Sequence, residues 1–278
     1  MKISLVLSGG GARGYIHIGV IEELKAQGYE IVSISGTSMG ALIGALEACG
    51  KLDIYKNWVE SLELIDILKF IKPPFKLNGD KIFNKIKELV GEYYIEDLPI
   101  KFTAVATDLK KGKEVWFQKG PLWEAVKASA AIPGVFEPVH LHNMTLVDGG
   151  VLNLMPVAPV MSDISDLIIA VNLYGEEDKE IKVRYKKETK KKINILHEMW
   201  DKIFEEKDDP TSMSIELMMK VIFRYRRAEY IPDLEIKFPS NIANWYEFHR
   251  AIELIEIGRE YTREVLIKEK MRKQDKHK

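Results

Sequence analysis

Two glycine-rich turns within the first 50 residues constrain the fold of this chain more than any other feature. Residues 3–7 are an apolar, strand-like segment that leads into the first turn, and a helical pattern follows over residues 14–27. Residues 31–35 are a second such segment, whose turn leads into the small apolar residues 41–49. This order predicts a strand, helix, strand unit with parallel strands and a right-handed crossover. Both turns are therefore expected side by side at the carboxyl edge of one sheet.

The whole chain is expected to form one large α/β domain, because 278 residues are too few to divide readily into two independent cores. We assign residues 1–278 to this domain, with a core over 1–175, helical decoration over 176–270 and a basic tail over 271–278. The hydrophobic pattern predicts strands at 101–107, 114–118, 145–147 and 167–173, and helices at 52–72, 80–90, 125–131, 213–228 and 242–270.

Composition narrows the class of protein and its surroundings. The hydrophobic fraction of 46% and the charged fraction of 30% are those of a globular chain. The formal net charge of −1 gives no reason to expect a nucleic acid partner. Cys49 is a single cysteine, which excludes an internal disulfide and suits a reducing compartment. With no apolar run of about 20 residues and no signal peptide, a cytoplasmic protein is expected, and peripheral contact with the inner membrane face stays open.

The second turn reads Gly36-Thr37-Ser38-Met39-Gly40 and fits the pattern G-x-S-x-G. In that pattern a serine sits on a tight strand-to-helix turn, and the flanking glycines let other backbone approach it closely. The following helix would place free N–H groups, that of Met39 among them, where an oxyanion forms beside the serine. Ser38 is therefore the candidate nucleophile.

The first turn reads Gly9-Gly10-Gly11-Ala12-Arg13-Gly14 and presents successive backbone N–H groups with few side chains in the way. Such a loop suits an oxyanion hole or a phosphate cradle. It also matches G-x-G-x-x-G, so a nucleotide-binding module is an alternative. That alternative requires an acidic residue at the end of the second strand, where this chain has Ser35-Gly36-Thr37-Ser38. Glu30 lies at the other end of the strand.

A serine nucleophile needs a base, and histidine is the usual one. None of the six histidines adjoins a glycine turn in the sequence: His17 is in the first helix, and the others are His140, His142, His197, His249 and His277. Asp148, by contrast, ends a short strand and is followed by two glycines. It is the leading candidate base, although Asp-Gly is also a common turn signal.

The ordered set of Gly9 to Gly14, Gly36 to Gly40 and Asp148-Gly149-Gly150 resembles the patatin-like phospholipase family, in particular its bacterial and archaeal members. The segment Ala128-Ser129-Ala130-Ala131-Ile132-Pro133 is also similar to a small-residue motif that precedes the aspartate in that family. The resemblance covers about residues 3–175. Each motif alone is unspecific, but four in this order and spacing are specific.

The resemblance implies a three-layer α/β/α sandwich around a mostly parallel sheet, and a lipid acyl hydrolase that works through a Ser-Asp dyad. It assigns the base to Asp148, a structural role to Ser129 and the oxyanion amides to Gly10, Gly11 and their neighbours. Arg13 would hold that loop or an anionic group of the substrate. No metal or cofactor is expected, and the substrate would be a lipid or a small ester. An α/β-hydrolase triad with Asp148 and His197 or His249 remains an alternative, although its serine normally follows more than two strands.

Two apolar patterns late in the chain concern how a lipid substrate could reach the site. One helical stripe follows a lysine-rich run at 186–192 and suits docking on an anionic membrane or packing on the domain; it contains Ile193, Leu196, Met199, Trp200, Ile203 and Phe204. A second set is expected to form a lid or to complete the core, and it contains Leu217, Met218, Val221, Ile222 and Tyr225.

Overall fold

Eight of the strands in the computed structural model form one mixed, mostly parallel sheet. The structure describes residues 1–63, 66–67, 69–72, 76–178 and 210–275. The strands are β1 (Lys2–Leu7), β2 (Glu30–Thr37), β5 (Lys101–Asp108), β6 (Lys113–Phe117), β7 (Val139–Leu141), β8 (Met144–Asp148), β9 (Leu167–Gly175) and β10 (Leu234–Pro239). Strands β3 (Ile71–Lys72) and β4 (Lys76–Leu77) form a separate hairpin.

Helices flank this sheet on both faces. They are α1 (Ile16–Ala26), α2 (Met39–Ala48), α3 (Leu52–Ser61), α4 (Gly79–Val90), α5 (Leu122–Ser129), α6 (Pro210–Glu229) and α7 (Ala251–Asp275). The order in the sheet is β10, β9, β1, β2, β5, β8 and β7, with β6 paired to β5. The predicted fold class, a three-layer α/β/α sandwich, is thereby confirmed, and so is the parallel pairing of β1 with β2.

Along β1, side chains alternate between two hydrophobic clusters, one on each face of the sheet. In β1, Leu5 and Leu7 join the larger cluster with α1, α2 and α7, whereas Val6 joins a smaller cluster with Leu154 and Phe223. Successive side chains of a strand point to opposite faces, so both faces of β1 are covered. This explains why residues 3–7 are apolar at nearly every position rather than at every second one.

The C-terminal region departs from the sequence-based expectation. Residues 234–239 form β10, an edge strand parallel to β9, where only helices were predicted. The segment is short and ends at Pro239, which makes its strand pattern weak. Pairing with β9 and burial of Ile236 and Phe238 stabilise the extended conformation. Helix α7 packs along α1, where Arg263 pairs with the buried Glu23 at 2.8 Å. The region after residue 175 thus adds a strand and a core helix as well as decoration.

Two smaller differences concern helix boundaries. Helix α3 ends at Ser61, and part of the predicted helix 52–72 is instead the β3–β4 hairpin. The final helix begins at Ala251 rather than at residue 242, after a 3-10 turn at Phe248–Arg250. Among the helices that the structure describes, none has the combination of length and apolar character needed to cross a membrane.

Candidate active site

The register of β5 brings the ends of two distant strands together. Strand β6 pairs with one edge of β5 along residues 104–108, so β2 and β8 must share the other edge. Thr37, at the end of β2, lies opposite Val105, and Asp148, at the end of β8, lies opposite the next residue, Ala106. Because β2 runs parallel and β8 antiparallel to β5, their carboxyl ends meet head to head. Ser38 and Asp148 are thereby placed side by side.

Ser38 occupies a strained backbone conformation at the start of α2. Its φ of 57° and ψ of −127° are unfavourable for a residue with a Cβ. The Ser38 N–H donates to Ser129 Oγ at 3.0 Å, and Ser129 Oγ in turn donates to the Val105 carbonyl at 2.6 Å. Ser129 is fully buried and so ties the Ser38 turn to β5. This contact agrees with the structural role that the resemblance implied for Ser129.

Asp148 is buried, and its two carboxylate oxygens differ in their surroundings. Oδ1 accepts a hydrogen bond from the Gly150 N–H at 2.7 Å. Oδ2 is buried and has no hydrogen-bond partner within the described part of the chain. Burial raises the pKa of Asp148 to about 6, against the opposing effects of the nearby Ser38 hydroxyl and the Gly150 amide. The Ser38 hydroxyl is thus close to the carboxyl without completing a hydrogen bond to Oδ2.

The first glycine turn is nested against the Ser38 turn. A Cβ added at Gly9 would lie 3.3 Å from Ser38 Cβ, and one added at Gly14 would collide with the Met39 side chain. In the opposite direction, a Cβ at Gly40 would collide with the carbonyl oxygens at the end of β1. The glycines of both turns therefore allow the close approach of the two loops that the parallel unit predicted.

The backbone N–H groups of the first turn divide into two sets. The Gly9 N–H donates to the Leu154 carbonyl at 2.9 Å and the Ala12 N–H to the Trp245 carbonyl at 2.7 Å, while that of Arg13 donates to Gly10. These three N–H groups, all in the predicted set of oxyanion donors, already donate to backbone carbonyls of the fold. The remaining candidates are Gly10, Gly11 and Met39, whose N–H groups have no recorded acceptor among the described residues.

Arg13 contacts the protein rather than the centre of the site. Its side chain is buried and stacks on the Tyr174 ring, with the guanidinium carbon 4.4 Å from the ring centroid. Nη1 donates to the Ser240 carbonyl at 2.7 Å and Nε to the Gly10 carbonyl at 3.4 Å. Of the two roles expected for Arg13, these contacts favour the one in which it holds the loop.

His17 corrects the expectation that no histidine adjoins a glycine turn. Its ring is fully buried, and Nε2 lies 2.8 Å from the Ser8 carbonyl, directly before the turn. Burial lowers the pKa of His17 to about 4, so the ring is neutral at neutral pH and Nε2 is the donor. The sequence could not show this contact, because α1 folds back along β1.

No histidine ring acts on Asp148 within the described residues, where the groups that influence its carboxyl are the Ser38 hydroxyl and the Gly150 amide. His197 lies outside the described residues, and His249 belongs to the 3-10 turn before α7.

The alternative of a nucleotide-binding module concerns the N-terminus of the 3-10 helix that follows the first glycine turn. There the Ala12 N–H donates to the backbone carbonyl of Trp245. In a dinucleotide site, that helix terminus would instead receive the pyrophosphate.

Helix α6 lies against the Asp148 turn. A Cβ added at Gly150 would be 3.2 Å from Met219 Cε, and Phe223 on the same side of the helix is buried with Leu154. Arg226 forms an ion pair with Glu114, whose Oε2 accepts from Asn153 Nδ2 at 3.0 Å. The Asn153 carbonyl accepts from the Thr37 hydroxyl at 2.8 Å, which links α6 to the residue before Ser38.

The residues predicted to form the lid or core contact of this helix are mostly on its outer side. Met219 and Phe223 face the protein, while four of the five predicted residues are exposed: Leu217, Met218, Val221 and Tyr225. The core alternative is wrong for these four residues, because α6 has apolar residues on two opposite faces and periodicity alone does not show which face is buried. The lid alternative stays a prediction. The other predicted stripe, residues 193–204, lies outside the described residues.

The fold and the site together define an α/β protein with a serine on a strand-to-helix turn beside a buried aspartate. The sequence profile of the patatin-like phospholipases matches residues 5–161. The chain belongs to the patatin-like phospholipase family, as its motifs suggested. The family is one of lipid ester hydrolases, and that is the class of activity that membership implies for this chain.

Similar proteins include an uncharacterized NTE family protein of Mycobacterium tuberculosis, 34% identical over 328 residues, with 95% of this chain and 91% of the relative covered. A fungal relative is lysophospholipase nte1 of Emericella nidulans, 27% identical, with 96% of this chain and 18% of the relative covered. The solved structure of VipD from Legionella pneumophila aligns with a TM-score of 0.47 and 15% identity, covering 96% of this chain and 67% of that one.

Proposed function

We propose that this protein hydrolyses carboxylic esters of lipids, phospholipids or lysophospholipids among them, with Ser38 as nucleophile and Asp148 as base. The observation that carries the proposal is the head-to-head meeting of β2 and β8 on β5, which sets a strained serine beside a buried carboxylate. The fungal relative's name, lysophospholipase, agrees with this substrate class.

In the first half of the reaction, Asp148 accepts the Ser38 proton while Oγ attacks the ester carbonyl carbon. The oxyanion of the tetrahedral intermediate accepts hydrogen bonds from the free N–H groups of Gly10, Gly11 and Met39, beside the N-terminus of α2. The carbon to alkoxy bond then breaks, the leaving alcohol takes the proton from Asp148, and an acyl-Ser38 ester remains.

In the second half, Asp148 accepts a proton from water as the water oxygen attacks the acyl carbonyl. The bond to Ser38 Oγ breaks, the carboxylic acid leaves, and the proton returns from Asp148 to Ser38. Burial assists both halves, because it raises the pKa of the carboxyl to about 6 and so makes it a stronger base than an exposed aspartate.

A substrate panel combined with covalent labelling tests the proposal. We expect the protein to hydrolyse p-nitrophenyl esters and at least one of lysophospholipid and diacyl phospholipid. A fluorophosphonate should label one residue per chain, identified as Ser38 by peptide mass spectrometry. Labelling at a different residue, or no hydrolysis of any ester by folded protein, would contradict the proposal.

The pH dependence of acylation follows from the burial of Asp148. The base must be ionised, so the rate should be constant above about pH 7 and fall about tenfold per pH unit well below the pKa of about 6. His17 stays neutral from pH 7 down to about pH 5, since burial lowers its pKa to about 4, and so does not cause the fall that begins near pH 6. Stopped-flow burst kinetics with a p-nitrophenyl ester measure the acylation rate. A rate that stays constant down to about pH 4.5 would rule out a base with this pKa.

A further inference from the structure

We propose that the outer face of α6 and the tip of the β5–β6 hairpin form a surface that docks on an anionic phospholipid bilayer. The inference rests on the proposed function, because the bound bilayer would be the source of the lipid ester that the active site hydrolyses. We call this surface the docking face. It consists of an apolar helix face, Leu217, Met218, Val221 and Tyr225, and of the basic hairpin tip, residues 109–113.

The helix face is a continuous apolar strip rather than a set of scattered side chains. Leu217, Val221 and Tyr225 follow one another at intervals of four residues and therefore lie on one side of α6, with Met218 beside them. Leu217 is 62% exposed and Tyr225 is 76% exposed. Single exposed apolar residues are ordinary, but a contiguous apolar strip marks a site of interaction with another molecule or a membrane.

Basic residues border this strip. Lys220 and Arg224 are exposed on α6, which carries four basic and two acidic residues in all. The hairpin tip holds an exposed Leu109 together with three exposed lysines: Lys110, Lys111 and Lys113. Clusters of lysine and arginine around an apolar surface are complementary to anionic lipid head groups.

The hairpin and the helix adjoin each other across an open cleft of about 560 Å³. Gly112, Lys113 and Trp116 line one side of it, and Ile222 and Arg226 of α6 line the other. The hairpin tip therefore lies beside α6, and both border the same open side of the protein.

The location of the docking face relates it to the candidate active site. Strand β5 enters the hairpin at its carboxyl end, a few residues past the point where Asp148 pairs with it. The inner side of α6 contacts the Asp148 turn through Met219 and Gly150. A bilayer bound to the outer side would thus be separated from the Asp148 turn by the width of this one helix.

The charge pattern favours a lipid surface over a second copy of the chain. A symmetric dimer through this face would bring the basic residues of both copies together, which is unfavourable. Anionic lipids would instead neutralise them, and each lysine or arginine near the surface adds to the attraction.

Vesicle flotation with the full chain tests the inference, with Ser38→Ala as the parent so that no lipid is hydrolysed. Against vesicles of equal phosphatidylcholine and phosphatidylglycerol, the triple variant Leu217→Ser, Val221→Ser, Tyr225→Ser should bind about tenfold more weakly. Lys110→Gln with Lys111→Gln should give a similar loss with these vesicles and little change with phosphatidylcholine alone. The control is Ile164→Ser, which removes a 95% exposed apolar side chain next to Asp163, at the opposite, amino edge of the sheet.

Four results decide whether the docking face binds a bilayer and whether the proposed function holds. Unchanged vesicle binding by the triple variant would overturn the inference, and so would a dimer, seen by light scattering, that the triple variant dissociates. In the Ser38 background, the triple variant should hydrolyse soluble p-nitrophenyl butyrate at the normal rate, which shows that the fold is intact. If ester hydrolysis is absent while the triple variant still loses vesicle binding, the proposed function fails and the docking face stands.

Discussion

Replacing Ser38 by alanine is expected to lower kcat for ester hydrolysis by about 10⁴-fold or more, and to abolish fluorophosphonate labelling. Removing a nucleophile removes the whole acyl-enzyme route, which leaves only binding and oxyanion stabilisation. The substitution should not unfold the protein, because the contact of this residue with Ser129 is made by its backbone N–H and survives in alanine. The measurement is kcat with a p-nitrophenyl ester, alongside thermal unfolding.

Ser35→Ala is the matched control for this prediction. Ser35 is fully buried on β2, three residues before Ser38, and its hydroxyl donates to the Pro156 carbonyl at 2.5 Å. Its loss leaves a buried acceptor unsatisfied, which should cost about 1–3 kcal/mol of stability. The activity per folded molecule should stay near the wild-type value. If Ser38→Ala and Ser35→Ala reduced kcat equally, the effect at Ser38 would be one of folding and not of chemistry.

Replacing Asp148 by asparagine is expected to reduce acylation about 10²–10⁴-fold. An amide keeps the shape of the carboxyl and can still accept from the Gly150 N–H, but it cannot take the Ser38 proton. The rate of fluorophosphonate labelling measures this loss directly. Asp108→Asn is the matched control. Like Asp148, Asp108 is buried, but it lies on β5, and one of its oxygens accepts from the Lys110 and Thr145 amides.

The same substitution should raise stability at neutral pH. Folding raises the pKa of Asp148 from 3.8 to about 6, so the buried carboxyl contributes stability below pH 3.8 that is lost as pH rises through about 6. Asparagine avoids that loss, and the free energy of unfolding at pH 7 should rise by up to about 3 kcal/mol. Urea unfolding at pH 7 and at pH 4 measures it, and a gain that is equal at both values would contradict the assigned pKa.

A histidine base would give a different set of results. In that case Asp148→Asn would retain part of its labelling, and His249→Ala or His197→Ala would lose it. Under the proposed dyad, both histidine variants should be labelled at the wild-type rate.

The local sequence predicted the two glycine turns and the candidate nucleophile, because the geometry of such turns limits which residues can form them. A turn between a buried strand and a helix has few conformations. Gly36 lets the turn close against the start of α2, and Gly40 lets the end of β1 approach that helix. The apolar runs before both turns predicted parallel strands, and the parallel pairing of β1 with β2 confirmed it. The family resemblance then joined Ser38 to Asp148, which local reasoning had left as the leading candidate among several.

Other features depend on contacts between distant segments, and only the tertiary structure decided them. Strand β10 is extended because β9 offers it an edge, and His17 reaches the first turn because α1 folds back along β1. Which amides of the glycine loop remain free was set by Leu154 and Trp245, far along the chain.

The apolar and glycine patterns of the sequence by themselves determined the two turns, the candidate nucleophile and the class of fold. The tertiary structure decided which strand ends meet on β5, which amides stay free and which face of α6 is exposed. The physical reason is that turns and periodicity are governed by neighbouring residues, whereas pairing, burial and the pKa of Asp148 are governed by segments that are distant in the sequence.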